Sequence, residues 1–154
     1  MGTLARAFVE QGDHAKALAL LHQVLRHKIR QVSPDHLGMA GTQCNIGIVY
    51  EQEGQLEEAE QMYQKALQSM LKVHGGGSLQ VADMQKNIAD VRGTQCRYDE
   101  ALEMFEGVLE IQTKVLGHDH LDTAKTKINI GIVHTSLGGF EKALSMYSEA
   151  LPVL

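Results

Sequence analysis

Tryptophan is absent from this chain of 154 residues, and proline occurs only twice, at Pro34 and Pro152. Proline removes a backbone donor and breaks helix interiors, so nearly all of the chain is free to be helical. Two cysteines, Cys44 and Cys96, cannot build a disulfide framework. Both fall within helical pattern, which reads as reduced thiols in a cytoplasmic setting. No apolar run approaches the roughly 18 residues that a membrane helix needs. The opening MGTLARAFVEQGDHAK is amphipathic rather than leader-like, and Arg6 stands where N-myristoylation requires Ser or Thr. An excess of basic charge is lacking too. The formal net charge is −5, which argues against a broad nucleic-acid footprint. What remains is an ordinary globular balance, 44% hydrophobic and 21% charged, long enough for a real core.

The chain is also poor in catalytic patterns. There is no phosphate loop of the G-x-x-x-x-G-K type and no Gly-x-Ser-x-Gly nucleophile. His74-Gly75-Gly76-Gly77 echoes an oxyanion-hole motif, but its register places it in a connection between helices. His118-Asp119-His120 echoes a metal-ligand cluster, with Asp35 and His36 in the matching loop two repeats earlier and only Ser78 in the middle one. These residues read as turns and helix starts. No catalytic residue, metal ligand or cofactor is expected, and the chain is expected not to be an enzyme.

What the chain does have is a repeat. Gly12, Gly54, Cys96 and Gly138 stand 42 apart, as do Ala17, Ala59, Ala101 and Ala143. Leu25, Leu67, Leu109 and Leu151 keep the step, and so do Leu21, Tyr63, Phe105 and Tyr147. A fixed step of this length marks stacked units, none of which can bury its apolar face alone. Each unit reads as two helices. Ala40, Ile46, Gly47 and Tyr50 form one helical stripe, which Gly54 ends. Leu56, Ala59, Met62, Tyr63, Ala66, Leu67 and Met70 form the second. Gly47, Ala89 and Gly131 recur against Tyr63, Phe105 and Tyr147, small against large, as closely packed helices require. Ser33, Asp35, Ser78 and Asp119 are available as caps or turn residues in the connections, each of which ends on a leucine (Leu37, Leu79, Leu121). Glu57, Glu58, Glu60, Glu100, Glu103 and Glu106 read as a solvated outer face.

The run NIGIVYEQEGQLEEAEQMYQKAL resembles a tetratricopeptide repeat, with Gly47, Tyr50, Gly54, Ala59, Tyr63 and Ala66 in the small, aromatic, turn, Ala, aromatic and Ala places. The longer step and KVLGHDHLDTAKTKINIGIVHTSLGGFEKALSMY resemble the kinesin light chain type. The resemblance implies an all-α fold, a right-handed superhelical solenoid of antiparallel helix pairs, as one array over 1–154. Its units are approximately 1–36, 37–78, 79–120 and 121–154, the first and last incomplete. Such incompleteness leads us to expect a segment of a longer array, or self-association of its open ends with a second copy. The third unit departs from the pattern. Arg92 replaces the aromatic, Cys96 replaces the turn glycine, and Gly93 falls inside the helix, so that helix is expected to end early or fray. In the fourth unit His134 takes the aromatic place.

The resemblance also implies a concave groove, lined by the first helix of each pair, that binds a protein or peptide ligand. Carried onto this chain, the groove face holds Arg6 and Thr3; Cys44, Asn45, Ile48 and Gln52; Asp83, Lys86, Asn87 and Asp90; and Lys125, Ile128, Asn129 and Ile132. Asn45, Asn87 and Asn129 form a ladder of amides able to donate to and accept from a peptide backbone. Lys86, Lys125, Lys127 and Arg6 would favour acidic peptide, against Asp83 and Asp90. Ile48, Ile128 and Ile132 would form apolar pockets. The expected function is a scaffold of the adaptor or cargo-binding type. The alternative is a structural spacer or self-association segment, in which the asparagines bond neighbouring helices.

Overall fold

The computed structural model describes residues 2–31 and 37–154, and among them every regular element is helical. The chain divides into two compact units, Met1–Gly75 and Gly76–Leu154. The first holds α1 (Gly2–Glu10), α2 (His14–Gln31), α3 (Leu37–Gln52) and α4 (Leu56–His74). The second holds α5 (Leu79–Thr94), α6 (Tyr98–Leu116), α7 (Leu121–Ser136) and α8 (Phe140–Ala150). Three of these helices, α3, α5 and α7, open on the leucines of the repeat and are each 16 residues long. In the first unit each helix packs on the next, α1 on α2, α2 on α3 and α3 on α4. The second unit repeats this from α5 to α8.

The two cores are the same residues, shifted by two repeats. In the first, Ala5, Ala17, Leu21, Ile46 and Val49 are buried, with Leu18, Leu25 and Tyr50 packed against them. In the second, Ala89, Ala101, Phe105, Ile130 and Val133 are buried, with Leu102 and Leu109 packed against them. Within each unit, the second helix of the first pair, α2 or α6, thus lies between two first helices. A cross-helix polar clasp repeats as well. Lys28 Nζ donates to the Gly38 carbonyl (2.8 Å) and to Thr42 Oγ1 (3.1 Å) between α2 and α3. One unit later, buried Thr126 Oγ1 donates to Gln112 Oε1 at 2.6 Å between α7 and α6.

Within a pair, contact is closest at the small residue of the first helix. A Cβ added to Gly47 would lie 2.6 Å from Tyr63 Cε1, and one on Gly131 2.5 Å from Tyr147 Cε1. Both distances are below van der Waals contact, so glycine is required where the facing ring is tyrosine. Where the ring is Phe105, the facing residue is Ala89.

The expected early end of the third unit's first helix does not occur: α5 is as long as α3 and α7. The reason is the backbone of the turn. Gln55 N–H donates to the Tyr50 carbonyl (2.8 Å) and Gly54 N–H to that of Glu51 (3.0 Å). This is the Schellman pattern. Arg97 and Cys96 make the same two bonds to Arg92 (2.8 Å) and Gly93 (3.1 Å). Cys96 therefore adopts φ 61°, beside 76°, 77° and 77° for Gly12, Gly54 and Gly138. The hairpin imposes a glycine conformation on a residue with a Cβ. Arg92, at the aromatic place, lies half-buried and reaches Glu100 Oε2 at 3.7 Å.

Ser78 and Asp119 take the cap and turn places expected of them, and other details differ. Ser78 caps α5, accepting from the Val81 N–H at 3.3 Å. Asp119 lies in the turn, but the cap of α7 is His120, whose Nδ1 accepts from the Asp122 N–H at 3.1 Å. Ser33 and Asp35 lie outside the described residues. The last helix does not continue to Leu154. It gives way at Leu151–Val153 to a 3-10 turn carrying Pro152, which cannot donate into an α-helical ladder. Among the glutamates, Glu60 is buried, bonded by Gln64 at 3.0 Å, because it occupies the place where Leu18 and Leu102 face a core. The other five are exposed as expected.

Three substitutions test these constraints. Cys96→Gly relieves the left-handed backbone and is expected to stabilise the chain by up to about 1 kcal/mol in urea unfolding. Two alanines in α3 should act with opposite sign. Gly41 faces open space, so Gly41→Ala gains up to about 1 kcal/mol of helix propensity. Gly47→Ala meets the Tyr63 ring, and overpacking outweighs that gain by up to about 2 kcal/mol. Equal effects at the two positions would refute the close-contact account.

Candidate functional site

Each unit carries a cleft along its first helices. In the first unit, α1 contributes Ala5, Arg6, Val9 and Glu10, α3 contributes Asn45 and Ile48, and α2 supplies Leu21 beneath them, enclosing about 620 Å³. Leu21 stands in the place of Tyr63, Phe105 and Tyr147. Arg6 and Asn45 are exposed, and Ile48 is 37% exposed. Three of the residues expected from sequence are therefore brought together here, a cation, an amide and an aliphatic side chain around an apolar floor. Glu10 was not expected. It lies one repeat before Gln52, which was, so the same register carried back one repeat would have found it.

In the second unit a smaller cleft of about 270 Å³ is lined by α5 (Ala89, Asp90, Gly93, Thr94), α7 (Asn129, Ile132, Val133, Ser136), Tyr98 and Phe105. Gly93 opens it. At the equivalent place Glu51 Oε2 accepts from Tyr63 OH (2.8 Å), and the Thr135 hydroxyl bonds Tyr147 OH (3.3 Å). Phe105 has no hydroxyl to satisfy, and Gly93 leaves the space above the ring open, with nothing within 4 Å of an added Cβ. In the sequence Gly93 signalled only helix weakness; its effect on the surface depends on the facing ring.

The amide ladder is not uniform. Asn45 is exposed, whereas Asn87 and Asn129 are half-buried. Asn129 Nδ2 donates to Asp90 Oδ1 at 3.3 Å, and Lys86 Nζ donates to Asp90 Oδ2 at 3.5 Å. One carboxylate thus holds two of the residues expected to meet a ligand, and α7 is tied to α5. Lys125 is exposed, Ile132 is 53% exposed and Ile128 is half-buried. Asn87 and Lys125 belong to neither lining. Lys127 does not act as a groove cation. Its side chain is buried and pairs with Glu149 Oε2 at 3.1 Å, because two residues along a helix turn a side chain to nearly the opposite face.

Like charges meet at the α5 start. Partial burial of the Asp83 carboxyl, and then the nearby Asp122, hold its pKa above the ordinary aspartate value, with Lys86 opposing. Among the described residues no three His, Cys, Asp or Glu side chains converge on a metal-binding arrangement. No helix among them is long and apolar enough to cross a membrane.

This arrangement of hairpins and first-helix clefts coincides with a sequence family. The tetratricopeptide repeat model matches residues 1–72 and 80–154. The chain belongs to the tetratricopeptide repeat family. Repeats of this family in general mediate protein–protein interaction and are in general not catalysts. No curated protein matches the chain in sequence. In structure it is similar to BtubC (BKLC) from P. vanneervenii, with a TM-score of 0.91 and 24% identity over 99% of this chain and 61% of that one. It is also similar to nearly identical TPR-like repeats assigned to a kinesin light chain of Podosopora anserina. There the TM-score is 0.87 and the identity 20%, over 99% of this chain and 72% of that one. At these identities the likeness shows the fold, that of kinesin light chain-type repeats. The tetratricopeptide chain spans only 61% of the length of BtubC.

The Asp83 environment has a measurable consequence. A raised pKa means that the ionised carboxylate disfavours the folded state above that pKa, and that this cost disappears as pH falls below the unfolded value. Asp83→Asn is therefore expected to raise the melting temperature near pH 7. The gap to the wild type should close on acidification to about pH 3. A gap that is unchanged or that widens in acid would remove the assignment.

Proposed function

We propose that this tetratricopeptide chain is a protein-binding scaffold of the adaptor or cargo-binding type, acting in the cytoplasm, whose first helices hold a partner peptide. One observation carries the reading: the first-unit cleft places exposed Arg6, Asn45 and Ile48 around an apolar floor formed by Ala5, Val9 and Leu21. An extended or short helical segment would lay an aliphatic side chain into that floor. Its backbone would meet the Asn45 amide, which can donate and accept at once. Arg6 would pair with an acidic group of the ligand, and Glu10 would disfavour long acidic runs.

In the second unit the proposed contacts are Ile132 and the free valences of Asn129, with Asn87, Lys86 and Lys125 as flanking groups. Asn129 and Lys86 already serve Asp90, so a ligand there competes with an existing bond. Asn45 is accordingly expected to contribute more than Asn129.

A displayed random-peptide library selected on the full chain supplies the probe. Enriched peptides are expected to bind with about micromolar affinity, since ordering a short peptide costs entropy. Asn45→Ala should weaken them by about fivefold, the worth of one hydrogen bond near 1 kcal/mol. Arg6→Ala should selectively weaken those with acidic residues. Peptide binding unaffected by Asn45→Ala and Arg6→Ala, with helicity intact, would overturn the reading.

A further inference from the structure

The hollow beyond Phe105 in the second unit has an apolar wall and a rim of hydrogen-bond acceptors. By register the far edge of this ring faces the Gly93 place. In the other pairs the Tyr63 hydroxyl meets Glu51 there (2.8 Å) and that of Tyr147 meets Thr135 (3.3 Å). A ring hydroxyl and a first-helix side chain are thus missing together. Ala89, Phe105, Ile132 and Val133 wall the slot that results.

Around its mouth the hydroxyl protons are committed. Thr94 Oγ1 donates to the Asp90 carbonyl (3.0 Å), Ser136 Oγ to the Ile132 carbonyl (3.2 Å) and Tyr98 OH to Cys96 Sγ (3.4 Å). A hydroxyl has one proton and two lone pairs, so the remaining capacity of all three is to accept. Among the described residues that line this cleft, Asp90 alone is charged, and an ionised carboxylate only accepts. Apart from the second N–H of Asn129, the rim calls for donors.

We propose that this cleft takes a lysine or arginine side chain of the partner peptide. The methylene stem lies against Phe105, Ile132 and Val133 in the space that Gly93 leaves, and the charged head reaches Asp90 and the Thr94 and Ser136 oxygens. Both residues combine an apolar stem with a head that donates only. A carboxylate would meet acceptors on nearly every side. An aliphatic side chain would fill the wall but cover the rim oxygens without bonding them. Lys86 Nζ, 3.5 Å from Asp90 Oδ2, already uses this carboxylate as a cation partner, and the incoming head joins or displaces it. The inference rests on the peptide-binding reading and names the residue class that one of its clefts selects. That class is opposite in charge to the one favoured by Arg6 in the first unit.

Peptides selected on the full chain from a displayed random library supply the probes. Each is synthesised with its basic residue intact and with methionine in its place, which keeps an unbranched stem and removes the charge. The principal variant is Gly93→Thr. An added Cβ there meets nothing within 4 Å, and the new hydroxyl can bond the Ala89 carbonyl as that of Thr135 bonds Gly131 (2.9 Å). The slot is filled while the helix is kept, which circular dichroism checks. Asp90→Asn, of the same shape but uncharged, is the second variant. Selected peptides are expected to share a Lys or Arg at one position. Methionine there should weaken binding to the wild type about tenfold, the worth of one charge-assisted hydrogen bond. On either variant the same replacement should cost about twofold or less, since both changes remove one contact. Selected peptides with no shared basic residue would overturn the inference. So would a methionine cost as large on the folded variants as on the wild type. Peptides still weakened by Asn45→Ala or Arg6→Ala would in either case leave the scaffold reading standing, which separates the two failures.

Discussion

Everything in each hairpin rests on how near its two helices come, and that distance is governed by one pair of side chains. Gly47 admits the edge of Tyr63, Gly131 admits Tyr147, Ala89 meets Phe105, and Ala5 meets Leu21. The pairs vary together, with the smallest residue facing the largest ring. A third position follows them. Glu51 and Thr135 bond the tyrosine hydroxyls, and Gly93 stands where the ring has none. A buried hydroxyl without a partner costs about 1–3 kcal/mol, so for buried Tyr63 the ring and Glu51, one turn beyond the contact, are constrained jointly.

The same substitutions accompany the hollows of the first-helix surface. This chain has Leu21 in one pair and Phe105 with Gly93 in another, and a cleft lies over each. The clefts differ in chemistry because their rims differ. Arg6, Glu10 and Asn45 surround the first, while an Asn129–Asp90–Lys86 cluster closes the polar side of the second.

Much of this was legible before any coordinates. The 42-residue step located the leucines that open α3, α5 and α7, and the small–large register identified the residues that touch. Reading residues singly was less successful. Gly93 and Cys96 suggested a weakened helix end, but the turn's two backbone bonds hold Cys96 in a left-handed conformation and α5 keeps its length. Lys127 looked like a surface cation beside Lys125, and Glu60 like one more exposed acid. Their fates depend on which face of a helix is covered, and a periodic pattern gives that only to within a residue or so.

Sequence alone determined the helical class, the leucines that open α3, α5 and α7, the pairing of small with large side chains and the family. Those properties follow from spacing, because helix geometry converts a step of three or four residues into a face and a fixed long step into equivalent faces. Tertiary structure alone decided which of the three asparagines is exposed, which cations are already paired and where the surface is hollow. Such outcomes depend on side chains that meet across helices, such as Asn129 with Asp90, 39 residues apart, and no local pattern encodes the angle at which two helices bring them together.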